Sequence, residues 1–181
     1  MRVSILLLGL LAGIVAVRAD ISGCACDPGR PETMERRECS LCREAEKQPP
    51  GTEIFFLKDA NPRKPNRWLA LPRVHSAVGH SLADLTPEQR ALLWKAAIAK
   101  GRELWGDEWG LAYNGDQVRT QCHAHIHIGK LLQGLAPGKT MLVSRAEDIP
   151  VPKGDGLWVE PRGKDLLVHY GEIITETVLL R

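Results

Sequence analysis

The stretch that begins at Thr86 and ends at Gly106 most strongly restricts how this chain can fold. Thr86 and Gln89 form a capping-box pair, and Pro87 occupies the first helical position, where proline is favoured. Residues of the buried face then recur at helical spacing, namely Trp94, Ile98, Gly101 and Trp105. Gly106 is a typical C-terminal stop. The sequence therefore predicts one main amphipathic helix whose tryptophans anchor a core.

Short apolar segments lie on both sides of this helix, separated by residues that favour turns. The segments predicted to be strands are residues 53–57, 68–71, 109–113, 122–128, 140–144, 156–160, 165–169 and 172–180. Residues 27–37 are rich in proline, glycine and charge, which predicts a loop. One main helix combined with an antiparallel sheet indicates an α+β fold.

The N-terminal residues 1–19 have the pattern of an export signal. A basic start precedes the uncharged residues 3–17, a run shorter than the roughly 20 apolar residues of a membrane-spanning helix. Small residues one and three positions earlier predict cleavage before Asp20. Two alternatives stay open, which are lipidation of Cys24 at a lipobox-like sequence and an uncleaved N-terminal membrane anchor. The pattern therefore predicts an exported protein, periplasmic or secreted, with a lipoprotein or an N-terminally anchored protein as the alternatives.

The charge balance excludes one class of partner. The chain carries 24 basic and 22 acidic residues, and loss of the signal would remove Arg2 and Arg18 and leave 22 of each. A general binder of polyanions needs a basic excess, so duplex nucleic acid is not an expected partner. The hydrophobic content of 44% and charged content of 25% are ordinary for a globular protein.

Four of the 5 cysteines lie close together near the N-terminus, as Cys24-x-Cys26 and Cys39-x-x-Cys42. In an oxidising compartment these four thiols predict two disulfides of open connectivity, with Cys122 free. The spacing also fits a structural zinc site. Two zinc ligand sets are open: Cys24, Cys26, Cys39 and Cys42, or Cys39 and Cys42 with His75 and His80.

Three histidines alternate with other residues at positions 123, 125 and 127. On a strand this period places all three imidazoles on one face. A purely structural role is unfavourable, because three adjacent buried imidazoles would leave donors and acceptors unpaired. Two functional interpretations remain. The three rings could bind zinc, or one could attack phosphorus while its neighbours donate hydrogen bonds to the phosphate.

This stretch resembles the motif of the histidine-triad superfamily of nucleotide hydrolases and transferases. That motif reads His-φ-His-φ-His-φ-φ, where φ is apolar, and its first histidine follows an Asn by eleven residues and a Gln by four. A motif that begins at His123 would put an alanine and an arginine at those positions. A motif that begins at His125 puts Asn114 and Gln121 there. The second alignment explains two more polar residues and is the one we adopt.

The resemblance is closest to the bacterial CDP-diacylglycerol diphosphatases and extends over residues 53–131. The sequences that carry it are Phe56-Leu57-Lys58-Asp59, Leu71-Pro72, and Arg119-Thr120-Gln121 followed by His123 and His125-Ile126-His127-Ile128. In this alignment Gly129 stands where the third histidine would be. The chain then divides into a signal peptide (1–19), a cysteine-rich segment (20–52) and a histidine-triad-like domain (53–181).

The resemblance also implies a mechanism and partners. His127 would attack phosphorus, and His125 and Gln121 would orient the phosphate during the reaction. The residues expected to bind substrate are Asn114, His123, Arg119 and Lys58. No cofactor would be required. The expected substrate is a nucleotide-linked diphosphate, with or without a lipid, and the expected partners include a membrane surface and a second copy of the chain. The alternative is a non-catalytic exported domain that binds nucleotide or metal.

Overall fold

The computed structural model describes residues 21–74, 80–135 and 138–181. The predicted export signal, Asp20 and His75 lie outside these residues. The elements are α1 (Pro31–Met34), α2 (Ser40–Glu46), β1 (Ile54–Lys58), β2 (Trp68–Pro72), α3 (Pro87–Trp105), β3 (Trp109–Tyr113), β4 (Ile126–Lys130), β5 (Lys139–Val143), β6 (Gly156–Arg162) and β7 (Asp165–Glu172). Within the described ranges, no helix combines the length and the apolar character needed to cross a bilayer.

The strands form one antiparallel sheet, in the order β1-β2-β4-β3-β6-β7-β5. Helix α3 packs across β2, β3 and β4. The main core lies between them and includes Trp94 of the helix and Trp109 of β3, both almost fully buried. The predicted α+β fold is confirmed.

The predicted helix forms because its termini and its packing face agree. The Thr86 side chain accepts a hydrogen bond from the Gln89 backbone, and the Gln89 side chain accepts one from Thr86. The chain leaves the helix at Gly106, whose φ of 58° favours glycine. Gly101 lets the helix approach the sheet, since a Cβ there would lie 3.0 Å from Trp109 Cβ.

Three secondary-structure predictions are wrong. Residues 27–37 are not all loop, because they contain α1. The strand expected at 122–128 begins only at Ile126. The strand expected at 172–180 is absent: β7 ends at Glu172, and Glu176–Val178 is a 3₁₀ turn.

The late start of β4 has a tertiary cause. Residues before Ile126 bind the N-terminal segment instead of a strand, as the Cys122 backbone N–H donates to the Glu38 carbonyl at 2.8 Å. The His123 ring likewise leaves the sheet pattern, and its Nε2 donates to the Pro72 carbonyl at 2.7 Å. Alternation along the sequence cannot report such contacts.

The structure contains two disulfides, as predicted, but the four cysteines that form them are not the predicted four. The bonds are Cys24–Cys122 and Cys26–Cys39, and Cys42 is a buried free thiol. The prediction that Cys42 is oxidised and Cys122 free is therefore wrong. The fold brings Cys122, which follows Cys24 by 98 residues, into the N-terminal cysteine cluster. Cysteine spacing alone cannot reveal this contact.

The N-terminal segment is attached to the sheet by packing as well as by cross-links. Leu41 and Ala45 of α2 bury against Phe55 of β1 and against Leu69 and Leu71 of β2. Helix α2 thus packs on β1 and β2, and its residues Ser40 and Leu41 line the same cavity as His127 of β4.

Candidate active site

A cavity of about 750 Å³ opens beside β4. Its walls come from the α2 region, the β1–β2 turn, the β3–β4 connection and the 3₁₀ turn at Glu176–Val178. The polar side chains that line it include Arg37, Ser40, Lys58, Lys64, Asn114, Arg119, Gln121, His125, His127 and Glu176. The structure therefore brings together every residue predicted for the site except His123.

His127 lies on a strand that is paired on both sides. It lies in β4, paired with Leu69 of β2 on one side and Ala112 of β3 on the other. The His125 ring lies 4.9 Å from it, centroid to centroid, with the two planes at 75°. A position between two paired strands fixes the backbone of His127, which suits a group that must meet a substrate atom in one geometry.

Hydrogen bonding sets the tautomer of His125. Its Nδ1 lies 2.7 Å from the His123 carbonyl oxygen, which can only accept, so Nδ1 carries the proton. In the neutral ring the lone pair is then on Nε2. His127 Nδ1 has no hydrogen-bond partner among the described residues, and it faces Glu176 Oε2 at 3.5 Å.

Both cavity imidazoles are neutral at physiological pH. Burial, followed by the nearby cations Lys64, Arg67 and Arg119, lowers the pKa of His127 to about 3. Burial, followed by the neighbouring His127, lowers the pKa of His125 to about 3. A neutral imidazole keeps a lone pair, and this is the form that can act as a nucleophile.

Arg119 is a buried cation whose hydrogen-bonding capacity is largely unused. The side chain is 1% exposed, and its Nη2 donates to Asp116 Oδ1 at 3.1 Å. Its guanidinium lies over the Tyr113 ring at 4.9 Å. Nε and Nη1 have no hydrogen-bond partner within the described part of the chain. Such a fork beside a cavity is suited to a phosphate or carboxylate.

The Gln121 amide makes three hydrogen bonds to the N-terminal segment. Its Oε1 accepts from the Ser40 hydroxyl at 2.7 Å and from the Leu41 backbone N–H at 3.4 Å. Its Nε2 donates to the Arg37 carbonyl at 3.2 Å. Gln121 thus fastens the N-terminal segment to the cavity, and its predicted contact with phosphate stays a prediction.

Asn114 holds the opposite wall. Its Oδ1 accepts from the backbone N–H groups of Thr175 at 2.9 Å and Glu176 at 3.0 Å. The Thr175 hydroxyl also lies 3.3 Å from this oxygen. The amide therefore fixes the start of the 3₁₀ turn that brings Glu176 to His127. The predicted substrate-binding residue Lys58 is the last residue of β1. It is exposed and lines the cavity.

The C-terminal segment packs against Gly129, the position at which the adopted alignment expects a third histidine. A Cβ on Gly129 would lie 3.2 Å from Leu179 Cβ, and Leu179 is 1% exposed. A histidine side chain would need the space that Leu179 occupies. The same segment supplies Glu176, a residue that sequence reasoning missed because an isolated glutamate in an expected strand carries no signal.

The predicted metal sites acquire no new support. Cys26, Cys39 and Cys122 have sulfurs within 4.8 Å of one another, but all three take part in disulfides. His80 is buried.

No known family model matches the chain. The similarity to histidine-triad proteins therefore rests on the motif residues themselves.

Proposed function

We propose that this protein hydrolyses a nucleotide-linked diphosphate of the CDP-diacylglycerol type, with His127 as nucleophile. The observation that carries the proposal is the meeting, in one cavity, of a neutral imidazole and a buried guanidinium with unused donors. The imidazole can form a bond to phosphorus. The guanidinium of Arg119 can neutralise the oxygens on which negative charge accumulates.

The reaction has two steps. The Nε2 lone pair of His127 forms a bond to the phosphorus next to the nucleoside, and the anhydride P–O bond breaks, with its electron pair leaving on the departing phosphate monoester. Water then bonds to the same phosphorus. The P–N bond breaks and returns its electron pair to Nε2, while the proton released by water passes to solvent. The products are a nucleoside monophosphate and a phosphate monoester.

Gly129 fits this class of leaving group. A departing phosphate monoester has a second pKa of about 6, so it can leave at neutral pH without first receiving a proton. A departing alcohol or amine is far more basic and needs a general acid. A site with glycine at the third motif position is therefore better matched to phosphoric anhydrides than to esters or phosphoramidates.

The cavity also has the size and character of a nucleotide site. Ligand pockets commonly have volumes of about 300–1,000 Å³, a range that includes the 750 Å³ observed. Lys58, Lys64 and Arg37 line the cavity and can pair with a diphosphate. Leu41, Leu57 and Leu69 add apolar surface for a base or the first carbons of a lipid.

The two disulfides favour a location outside the reducing cytoplasm. Export to the periplasm or as a secreted protein is part of the same proposal. A lipid-linked substrate would place the enzyme at a membrane surface.

The decisive experiment is a single-turnover trap with labelled CDP-diacylglycerol and labelled CDP-alcohols. His127→Ala should abolish turnover and the nucleotidyl-protein adduct. His125→Ala should keep the adduct and lose about 10²- to 10³-fold in rate, because it removes the ring that packs edge-on against His127 and helps to orient the substrate. His169→Gln is the matched control, because His169 is a buried histidine stacked on Trp158 and is not part of the cavity lining.

Two results would contradict the proposal. An adduct that survives in His127→Ala and disappears in His125→Ala would mean that the motif begins at His123. Tight nucleotide binding without turnover in the unaltered protein would instead support the non-catalytic binding domain. That second function is favoured by one observation, namely that the Gln121 amide is already hydrogen-bonded to Ser40 and Arg37.

A further inference from the structure

Glu176 lies where three positively charged or protonatable groups meet. Its Oε2 accepts from Lys64 Nζ at 2.6 Å and from Arg67 Nη1 at 3.1 Å. The same oxygen is 3.5 Å from His127 Nδ1. The carboxylate thus lies beside Nδ1 of His127, on the opposite side of the ring from the Nε2 that would attack phosphorus.

Glu176 is held in place from two directions. Asn114 Oδ1 accepts from its backbone N–H at 3.0 Å, which anchors the turn. Arg67 is 2% exposed and bridges Glu176 to the chain that follows, since its Nε donates to the Leu180 carbonyl at 3.0 Å. A carboxylate fixed by backbone and side-chain bonds is pre-organised beside the imidazole, and only a small approach is needed to shorten the 3.5 Å separation from Nδ1.

We propose that Glu176 is a positioning residue for His127, holding the proton on Nδ1 so that Nε2 presents its lone pair to the cavity. The inference rests on the proposed function for its catalytic consequence, but the tautomer itself does not depend on activity. A carboxylate accepts hydrogen bonds and cannot donate them when ionised, so it selects the ring form with the proton on its own side. The 3.5 Å separation is long for a hydrogen bond, and such bonds often tighten once substrate is bound.

The carboxylate has a second effect when a bond forms at Nε2. The imidazole of the nucleotidyl intermediate, protonated on Nδ1, carries a positive charge. Glu176 faces that charge across the ring and stabilises it, the role that a buried carboxylate has beside the histidine of a serine protease. The stabilisation exists only once charge has developed, so it raises the rate of adduct formation more than the affinity for substrate.

The segment that carries Glu176 also packs closely against Gly129. The C-terminal segment that fills the third-histidine position with Leu179 is the segment that carries Glu176. A glycine at 129 lets this segment pass close to β4. The packing of Leu179 at Gly129 and the carboxylate beside His127 thus belong to one C-terminal segment.

The test uses the full mature chain and two substitutions. Glu176→Gln keeps the shape and an acceptor oxygen but removes the charge, whereas Glu176→Leu removes the acceptor. Long-range proton–nitrogen NMR spectra identify which ring nitrogen of His127 is protonated. We expect protonated Nδ1 in the unaltered chain and in Glu176→Gln, and a mixture with protonated Nε2 in Glu176→Leu. Glu172→Gln, a substitution four residues earlier in the chain, is the matched control. It should change neither the tautomer of His127 nor the kinetic constants.

Kinetics separate positioning from support of the fold. Glu176→Gln should reduce kcat and the rate of adduct formation by about 10- to 100-fold, the range for loss of a charge-assisted contact, with KM changed less than threefold. Unchanged kcat together with an unchanged tautomer in Glu176→Leu would overturn the inference. If Glu176→Leu does not fold, an unchanged rate of adduct formation in folded Glu176→Gln overturns it by itself.

Failure of the proposed function gives a different pattern. A protein without hydrolase activity toward any nucleotide diphosphate would refute the proposed function. The NMR comparison would still decide whether Glu176 sets the tautomer of His127.

Discussion

Acid is expected to destabilise this protein through its two buried cavity imidazoles. Burial lowers the pKa of His127 to about 3, from the ordinary value of 6.5 that applies to the unfolded chain. Between these values the unfolded state binds more protons than the folded state. The free energy of unfolding therefore has its full imidazole contribution above pH 6.5 and loses it as the pH falls from 6.5 toward 3.

The size of the effect follows from the two pKa values. At pH 5 an unfolded imidazole is almost fully protonated, whereas one with a pKa of about 3 is almost fully neutral. The difference in proton binding lowers the free energy of unfolding by about 2 kcal/mol for one imidazole between pH 7.5 and pH 5. His125, whose pKa is also about 3, adds a contribution of similar size.

Urea titrations at pH 7.5 and pH 5, with the disulfides intact, measure this loss. Carboxylates also respond to acid, so the useful quantity is the difference between the unaltered chain and His127→Asn. The variant should lose about 2 kcal/mol less than the unaltered chain over this interval, with an equal denaturant slope. Equal losses in the two proteins would show that His127 is not held neutral by burial, and would refute the reasoning.

Three further predictions concern packing, cross-links and the anion site. Gly129→His should lower the free energy of unfolding by about 1–3 kcal/mol in urea titrations, because the ring competes with the C-terminal segment; an unchanged midpoint would contradict this. Non-reducing peptide maps should link Cys24 to Cys122, with Cys42 alkylated only after denaturation, and a Cys42 cross-link would contradict the observed pairing. Arg119→Gln should weaken nucleoside diphosphate binding by about 10- to 100-fold in calorimetry, and equal affinity would exclude Arg119 from the phosphate site.

Local signals were sufficient to predict most of the regular structure. The helix between Thr86 and Gly106 was predictable because its cap, its stop and its buried face lie within one stretch of sequence. Strands such as Trp109–Tyr113 were predictable because compact apolar runs end at turn residues. In both cases the information needed is carried by the residues that form the element.

The errors occur where distant residues decide the local structure. Cys122 leaves the strand pattern because it is bonded to Cys24, a separation of 98 residues, and hydrogen-bonded to Glu38. Short-range alternation near Cys122 contains no trace of either contact. The turn at Glu176–Val178 depends in the same way on the Asn114 amide, a contact across 62 residues. A sequence pattern therefore predicted which residues lie near the site but not what each of them contacts.

Asn114 and Gln121 show what such a prediction leaves open. The resemblance to the histidine-triad motif implies that Gln121 orients phosphate and that Asn114 binds substrate, but each is hydrogen-bonded to a different wall of the cavity. Asn114 holds the C-terminal turn, and Gln121 holds the N-terminal segment through Ser40 and Arg37. The N-terminal segment and the C-terminal turn thus meet at the β3–β4 connection, where the two amides hold them by hydrogen bonds. A polar residue at a motif position can shape the pocket around a substrate as well as touch it, and only the contacts of its side chain distinguish the two roles.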